Sequence, residues 1–163
     1  MKETNSDLRS VILKFLEEFE TQKTEAQLTE LQKMMFLFQR LSKKDFVKYS
    51  IFNYGPYSFE LEHALDELLL ERSVDRYGSK YRVTGAVPNS EYENTIKNIT
   101  LLLKSTTPTE MQKACTVMYF WDKSGNENEA VEKAQSVSPK SDIADFRKAY
   151  GDLSGRLTAL AAQ

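Results

Sequence analysis

Cysteine and histidine are almost absent from this sequence of 163 residues. The single cysteine, Cys115, excludes an internal disulfide, and its apolar neighbours favour a buried core thiol over a reactive one. The single histidine, His63, leaves any metal site to rest on carboxylates alone, and there is no HExxH motif or Asp-rich calcium loop. We therefore expect no metal site and no cofactor.

Glycine motifs that bind phosphate or expose a serine nucleophile are also missing. The six glycines form no GxGxxG, GxxxxGK[ST] or GxSxG pattern. Neighbouring carboxylates such as Asp66 and Glu67 fall on a predicted helix surface, whereas paired acid/base chemistry needs groups that converge in a cleft. With no catalytic residues to propose, we predict that the chain is not an enzyme.

Long apolar runs and a marked excess of one charge are absent as well. No run approaches the roughly 18 residues of a membrane span, and the first residues lack the plan of a signal peptide, so we expect a cytoplasmic protein with no membrane partner. The net charge of −2 gives no overall attraction to nucleic acid. A nucleic-acid contact would need a local basic patch.

Helical periodicity is what the sequence has in abundance. Helices are predicted over residues 6–20, 25–41, 57–71, 90–104, 108–123, 126–135 and 139–161. Capping boxes favour four of the starts: Thr24 with Gln27, Ser90 with Glu93, Thr107 with Glu110 and, more weakly, Asn126 with Glu129. Helix 25–41 is apolar nearly all round and is predicted to be central, with Gln32, Lys33, Gln39 and Arg40 on its one polar face.

Extended segments separate these helices. Residues 46–54 are rich in aromatic and β-branched side chains and predict a strand that ends at Gly55-Pro56, while 74–77 and 80–84 predict a hairpin. This order favours a mainly α (α+β) fold: a winged-helix-like core with a β-hairpin wing and a C-terminal helical extension. Pro88 is predicted to separate a winged-helix-like half, 1–87, from a helical half, 88–163, packed on it in one compact domain.

The helix at 57–71 has an acidic and partly apolar outer face. Its core face is predicted from Leu61, Ala64, Leu65, Leu68 and Leu69, which leaves Phe59, Glu60, His63, Asp66, Glu67 and Leu70 outside. Three carboxylates without Arg, Lys, Asn or Gln argue against reading DNA. Either the rest of the chain covers this face, or all of these outer residues except Glu60 bind a partner protein.

Basic residues lie elsewhere and define an alternative function. Lys43, Lys44 and Lys48 lie just before or at the start of the first predicted strand, and Arg76, Lys80 and Arg82 lie in the predicted wing. They predict possible phosphate contacts of a DNA-binding transcriptional regulator, although a solvated hairpin has the same pattern.

The last predicted helix has a short heptad seam. Its apolar residues are Ile143, Phe146, Tyr150, Leu153, Leu157 and Leu160. A homodimer contact is one interpretation, and Gly151 and Gly155 beside the seam would permit close approach. Packing on the domain's own core is the preferred interpretation, because the seam is under three heptads long.

Four segments together resemble known families: LTELQKMMFLFQRL, FNYGPYSFELEHALDELLLERSV, KYRVT and YFWDKSGNENEAVEKAQSVSPKSDIADFRKAY. In order and spacing they resemble the YwgA-like family of uncharacterised prokaryotic proteins and the related Panacea (SocA-like) antitoxin domain. The shared motifs are Leu31-Gln32-Lys33-Met34, the turn Tyr54-Gly55-Pro56-Tyr57, and Leu61 to Leu65.

The resemblance implies a mostly helical, winged-helix-like fold without established catalytic residues, and antitoxin-like or regulatory binding of partner proteins. Ile51-Phe52-Asn53 replaces the tryptophan common before this turn in Panacea domains, which favours the uncharacterised branch. We therefore predict a non-enzymatic protein-binding or regulatory module.

Overall fold

The computed structural model describes residues 2–24, 27–52 and 55–161, and these residues are mainly helical, as predicted. The helices are α1 (Asn5–Thr21), α2 (Leu28–Ser42), α3 (Phe59–Leu70), α4 (Glu93–Ser105), α5 (Pro108–Ser124), α6 (Glu127–Val137) and α7 (Ile143–Ala161). Two antiparallel hairpins pair β1 (Ser50–Phe52) with β2 (Gly55–Tyr57) and β3 (Val74–Tyr77) with β4 (Lys80–Val83). Across the described ranges, each helix is too short or too polar to cross a membrane.

Two of the four predicted helix caps are confirmed. The Thr107 hydroxyl accepts the N–H of Glu110, and the Asn126 side chain accepts the N–H of Glu129. The start predicted at Thr24 is wrong, because the Thr24 hydroxyl instead donates to the Phe19 carbonyl at 3.2 Å and closes α1. Helix α2 begins at Leu28, and Glu25 and Ala26 of the predicted start lie outside the described residues.

The predicted cap at Ser90 is also wrong. The Ser90 hydroxyl accepts the N–H of Tyr92 at 3.1 Å, and the N–H of Glu93 bonds to the Ser90 carbonyl instead. Helix α4 consequently begins at Glu93. Conversely, Thr4 and Asp7 form a capping box at the start of α1 that we did not predict.

The first compact unit comprises Met1–Tyr49 and Ser58–Ser105. It contains α1 to α4 and the β3–β4 hairpin, and its centre holds the fully buried Phe15, Phe19, Phe38 and Phe46. Phe15 meets Phe38 edge to face, with ring centroids 5.8 Å apart. Helix α4 packs on α1 and α2, so residues 88–105 belong to this unit.

The second compact unit comprises Ser50–Tyr57 and Thr106–Gln163. Helix α5 packs against α6 and α7 around a core of Val117, Ala130, Val131, Ala134 and Phe146. The β1–β2 hairpin also contacts α5. In place of the single strand predicted over 46–54, β1 pairs with β2 and Phe52 lies opposite Gly55, which has φ +107°; Asn53 and Tyr54 lie outside the described residues.

The heptad seam of α7 lies within this second unit. Phe146, Leu153 and Leu157 are buried where α7 packs on α5, and Ile143 and Tyr150 lie partly buried against the same core. At Gly151 and Gly155, no described atom beyond the helix's own nearby backbone lies within 4 Å of where a Cβ would be. The structure therefore does not support the homodimer contact, since the apolar seam residues are used inside the unit.

Candidate partner-binding site on helix α3

The start of α3 is set by polar contacts made by buried side chains. The Ser58 hydroxyl accepts the N–H of Leu61 and caps the helix. The side-chain amide of Gln32, on α2, hydrogen-bonds both backbone groups of Ser58. The inner face of α3 then packs on the first unit through the buried Leu61, Ala64, Leu65 and Leu68. One face of the helix is thereby fixed, and the opposite face is presented outward.

Two large apolar side chains stand on that outward face. Phe59 is 62% exposed and Leu70 is 85% exposed, at opposite ends of the helix. His63 and Asp66, between them, are also exposed. Spacings of four, three and four residues place these four side chains within about 60° of one another around the helix. We call Phe59, His63, Asp66 and Leu70 the α3 stripe.

Carboxylates border the α3 stripe. His63 Nε2 lies 3.1 Å from Glu67 Oε1, one turn further along, and Glu67 is partly exposed. Glu62 is half-buried on the other side of the stripe. No Lys or Arg belongs to α3 itself. All five predicted partner-binding residues therefore lie on one acidic and apolar surface, and within the described part of the first unit they stay at least partly exposed.

Two further carboxylates of this region are engaged inside the first unit. Glu60 accepts a hydrogen bond from Lys2 and another from the backbone N–H of Lys48 at 3.1 Å. The bond from Lys2, assisted by that from Lys48, holds the pKa of Glu60 below its ordinary value despite partial burial. Glu71 forms an ion pair with Arg9. These two groups fasten α3 to its neighbours and leave the stripe as the open surface.

Two of the three hairpin cations predicted for phosphate contacts, Lys80 and Arg82, line a cleft. Arg82 lies 3.5 Å from Glu20 and over the Tyr77 ring, 5.6 Å from its centroid. Arg76 donates to the Gly78 carbonyl at 2.8 Å and lies 5.6 Å from the Tyr81 centroid. The cleft measures about 220 Å³ and is lined by Glu20, Thr24, Tyr77, Lys80, Tyr81 and Arg82.

The other predicted phosphate contacts lie after α2. Lys43, Lys44 and Lys48 are all exposed. Lys43 adopts a left-handed conformation, φ +58°, as the C-cap of α2, and Lys44 Nζ lies 3.9 Å from a Glu3 carboxylate oxygen. Their side chains are accessible, and Lys44 and Lys48 each have a carboxylate nearby that weakens their attraction for phosphate.

The described residues contain neither a cluster of metal ligands nor an accessible thiol. No cluster of three or more His, Cys, Asp or Glu side chains there could hold a metal ion. Cys115 is fully buried in the core of the second unit.

The sequence did not lead us to predict two features of these sites: the buried Gln32 amide and the tyrosines of the cleft. Gln32 was assigned to the polar face of α2, although its amide is buried on Ser58. The tyrosines of the cleft, Tyr77 and Tyr81, were not singled out, although a hairpin that interleaves them with Arg76 and Arg82 was a usable signal.

Neither a protein-family model nor a curated protein sequence matches the chain. The resemblance to the YwgA-like and Panacea families stays a prediction.

Proposed function

We propose that the chain is a non-enzymatic protein-binding or regulatory module whose winged-helix-like first unit binds a partner protein through the α3 stripe. The exposure of Leu70, at 85%, together with that of Phe59, at 62%, on one acidic helix face is the observation that carries the proposal. The resemblance to Panacea domains makes an antitoxin-like role in the cytoplasm the most specific form of this function.

Energetics support a protein as the partner. Removing a Leu or Phe side chain from water stabilises a complex by about 1.5–3 kcal/mol, so the two ends of the stripe are natural anchor points. Interfaces commonly place such apolar anchors inside a polar rim, and Asp66 and Glu67 supply one here. Duplex DNA would instead bring phosphate charge against these carboxylates.

Paired affinity captures from lysate of the native host test the proposal. The double variant Phe59→Ser/Leu70→Ser is compared with the wild-type chain and with Leu101→Ser, which removes an apolar side chain, 43% exposed, from α4. We expect a stoichiometric partner with the wild type and the control but not with the double variant. Retention of that partner by the double variant, or absence of any stoichiometric partner, contradicts the proposal.

A second candidate function, DNA-binding regulation, is favoured by the wing cations around the cleft. Lys80 and Arg82 line the cleft with the exposed Tyr77, and these two cations and Arg76 could contact phosphates. Binding to a labelled duplex should then weaken steeply with salt, and Arg76→Ala should lower the salt slope by about one. Lys97→Ala, on α4, is the control. A flat titration at low salt removes this candidate.

A further inference from the structure

We infer that the partner segment recognised by the α3 stripe is a cationic amphipathic helix, with apolar residues that meet Phe59 and Leu70 and Lys or Arg residues between and beside them. This inference rests on the proposed function, since it names the chemistry of the partner at the same surface.

The spacing of the stripe favours a helix as the partner. Phe59 and Leu70 are separated by 11 residues, or three turns, which places them about 16 Å apart along one side of α3. Spacings of four, three and four residues allow a second helix to follow the whole stripe at a shallow crossing angle. A partner helix with apolar residues three turns apart can therefore cover both anchors at once.

The carboxylates on and beside the stripe favour a partner of positive charge. Asp66 has no ion-pair partner among the described residues, and Glu67 contacts His63. No Lys or Arg of α3 itself offsets Asp66 and Glu67. A cationic helix supplies positive charge opposite Asp66 and Glu67, whereas an acidic segment would be repelled.

The same charges argue against a second copy of this chain as the occupant. Pairing α3 with another α3 would bring Glu62, Asp66 and Glu67 of one chain close to the same carboxylates of the other.

Designed helical peptides test the inference on the full chain. The probe has leucines at positions i, i+4, i+7 and i+11 and lysines beside them; two matched peptides carry glutamine or glutamate in place of the lysines. In fluorescence anisotropy we expect the lysine peptide to bind at least about tenfold more tightly than the glutamine peptide. The glutamate peptide should bind more weakly still.

Charge-reversed chains locate the binding. Asp66→Lys/Glu67→Lys should weaken the lysine peptide at least about tenfold, while Glu132→Lys/Asp152→Lys, an equal charge change on exposed residues of α6 and α7, should alter it less than about twofold. Leu70→Ser should weaken it by about tenfold as well. Circular dichroism confirms that each variant is folded.

Equal binding of the lysine and glutamine peptides, equal effects of the two double variants, or no binding of the lysine peptide overturns the inference. Capture of a native partner that depends on Phe59 and Leu70, combined with failure of the lysine peptide, overturns the cationic helix while leaving the proposed function in place. If no native partner is captured and the lysine peptide does not bind, both the proposed function and the cationic helix are overturned.

Discussion

Gln32 holds Ser58 by both of its backbone polar groups. Gln32 Oε1 accepts the Ser58 N–H at 2.9 Å, and Gln32 Nε2 donates to the Ser58 carbonyl at 2.9 Å. Only 2% of Gln32 and none of Ser58 is exposed. Because Ser58 caps α3, one side chain of α2 fixes where the helix that carries the stripe begins.

Replacing Gln32 with leucine is expected to destabilise the protein. The Ser58 N–H would be left buried without a partner, and the Ser58 carbonyl would keep only the N–H of Glu62 at 3.3 Å, at a cost of about 1–3 kcal/mol. The free energy of unfolding, measured by urea titration, reports this loss directly. Thr29→Ala, an exposed substitution on the same helix, should change stability by less than about 0.5 kcal/mol. Wild-type stability in Gln32→Leu would mean that the amide bonds are dispensable.

The polar face of α2 illustrates how far the sequence could predict the fold. Gln39, seven residues after Gln32, makes a similar contact: its Oε1 accepts the N–H groups of Phe46 and Val47 at 3.0 and 2.7 Å. Helical spacing correctly grouped the two glutamines on one face. Helical spacing could not show whether a glutamine amide bonds to water or to backbone groups distant in the sequence, because the amide can make the same hydrogen bonds in either case.

Gly55→Ala should destabilise the second unit. Gly55 has φ +107°, where L-residues are strained, and an added Cβ would lie 3.4 Å from Thr116 Oγ1 on α5. The expected cost is about 1–3 kcal/mol, measured by thermal or urea unfolding.

Alanine substitutions at two other glycines distinguish the cost of backbone strain from the cost of a close Cβ contact. Gly78 also has a positive φ, +64°, but nothing lies within 4 Å of its Cβ position, so its replacement by alanine should cost only about 1–2 kcal/mol. Gly85→Ala, with neither feature, should be neutral or slightly stabilising. If Gly55→Ala matched Gly85→Ala, the pairing of β1 with β2 would not depend on this conformation.

The ion pairs of Lys14 are expected to make the free energy of unfolding depend on pH in the alkaline range. Its side chain is 5% exposed, and its Nζ lies 2.9 Å from Glu17 Oε1 and 3.1 Å from Glu93 Oε1. The hydrogen bond to Glu17 raises the pKa of Lys14 above its ordinary value; burial opposes this effect and Glu93 reinforces it. The folded chain thus holds this proton more tightly than the unfolded chain.

The contribution of Lys14 should be complete below its unfolded pKa of about 10.4 and lost as pH rises through the folded pKa. Lys14→Met should therefore show a shallower fall in unfolding free energy between about pH 9.5 and 11.5 than the wild type. Burial also raises the pKa of Tyr92, but that residue is common to both chains and cancels in the comparison. Lys97→Met, at an exposed position, is the control. Parallel curves for Lys14→Met and the wild type would contradict the assignment.

Helical spacing located the apolar face of α7 but could not identify what covers it, since a seam that packs on α5 and a seam between two chains have the same periodicity. Leu153, 1% exposed, distinguishes the two cases. Leu153→Ala should leave a cavity and cost about 2–5 kcal/mol, while the molecular mass from sedimentation equilibrium stays unchanged over a wide concentration range. Lys148→Ala, at an exposed position of α7, should affect neither measurement. A dimeric wild type that becomes a monomer of undiminished stability in Leu153→Ala would instead assign the seam to a subunit interface, because truncating a residue of a subunit's own core cannot leave its stability intact.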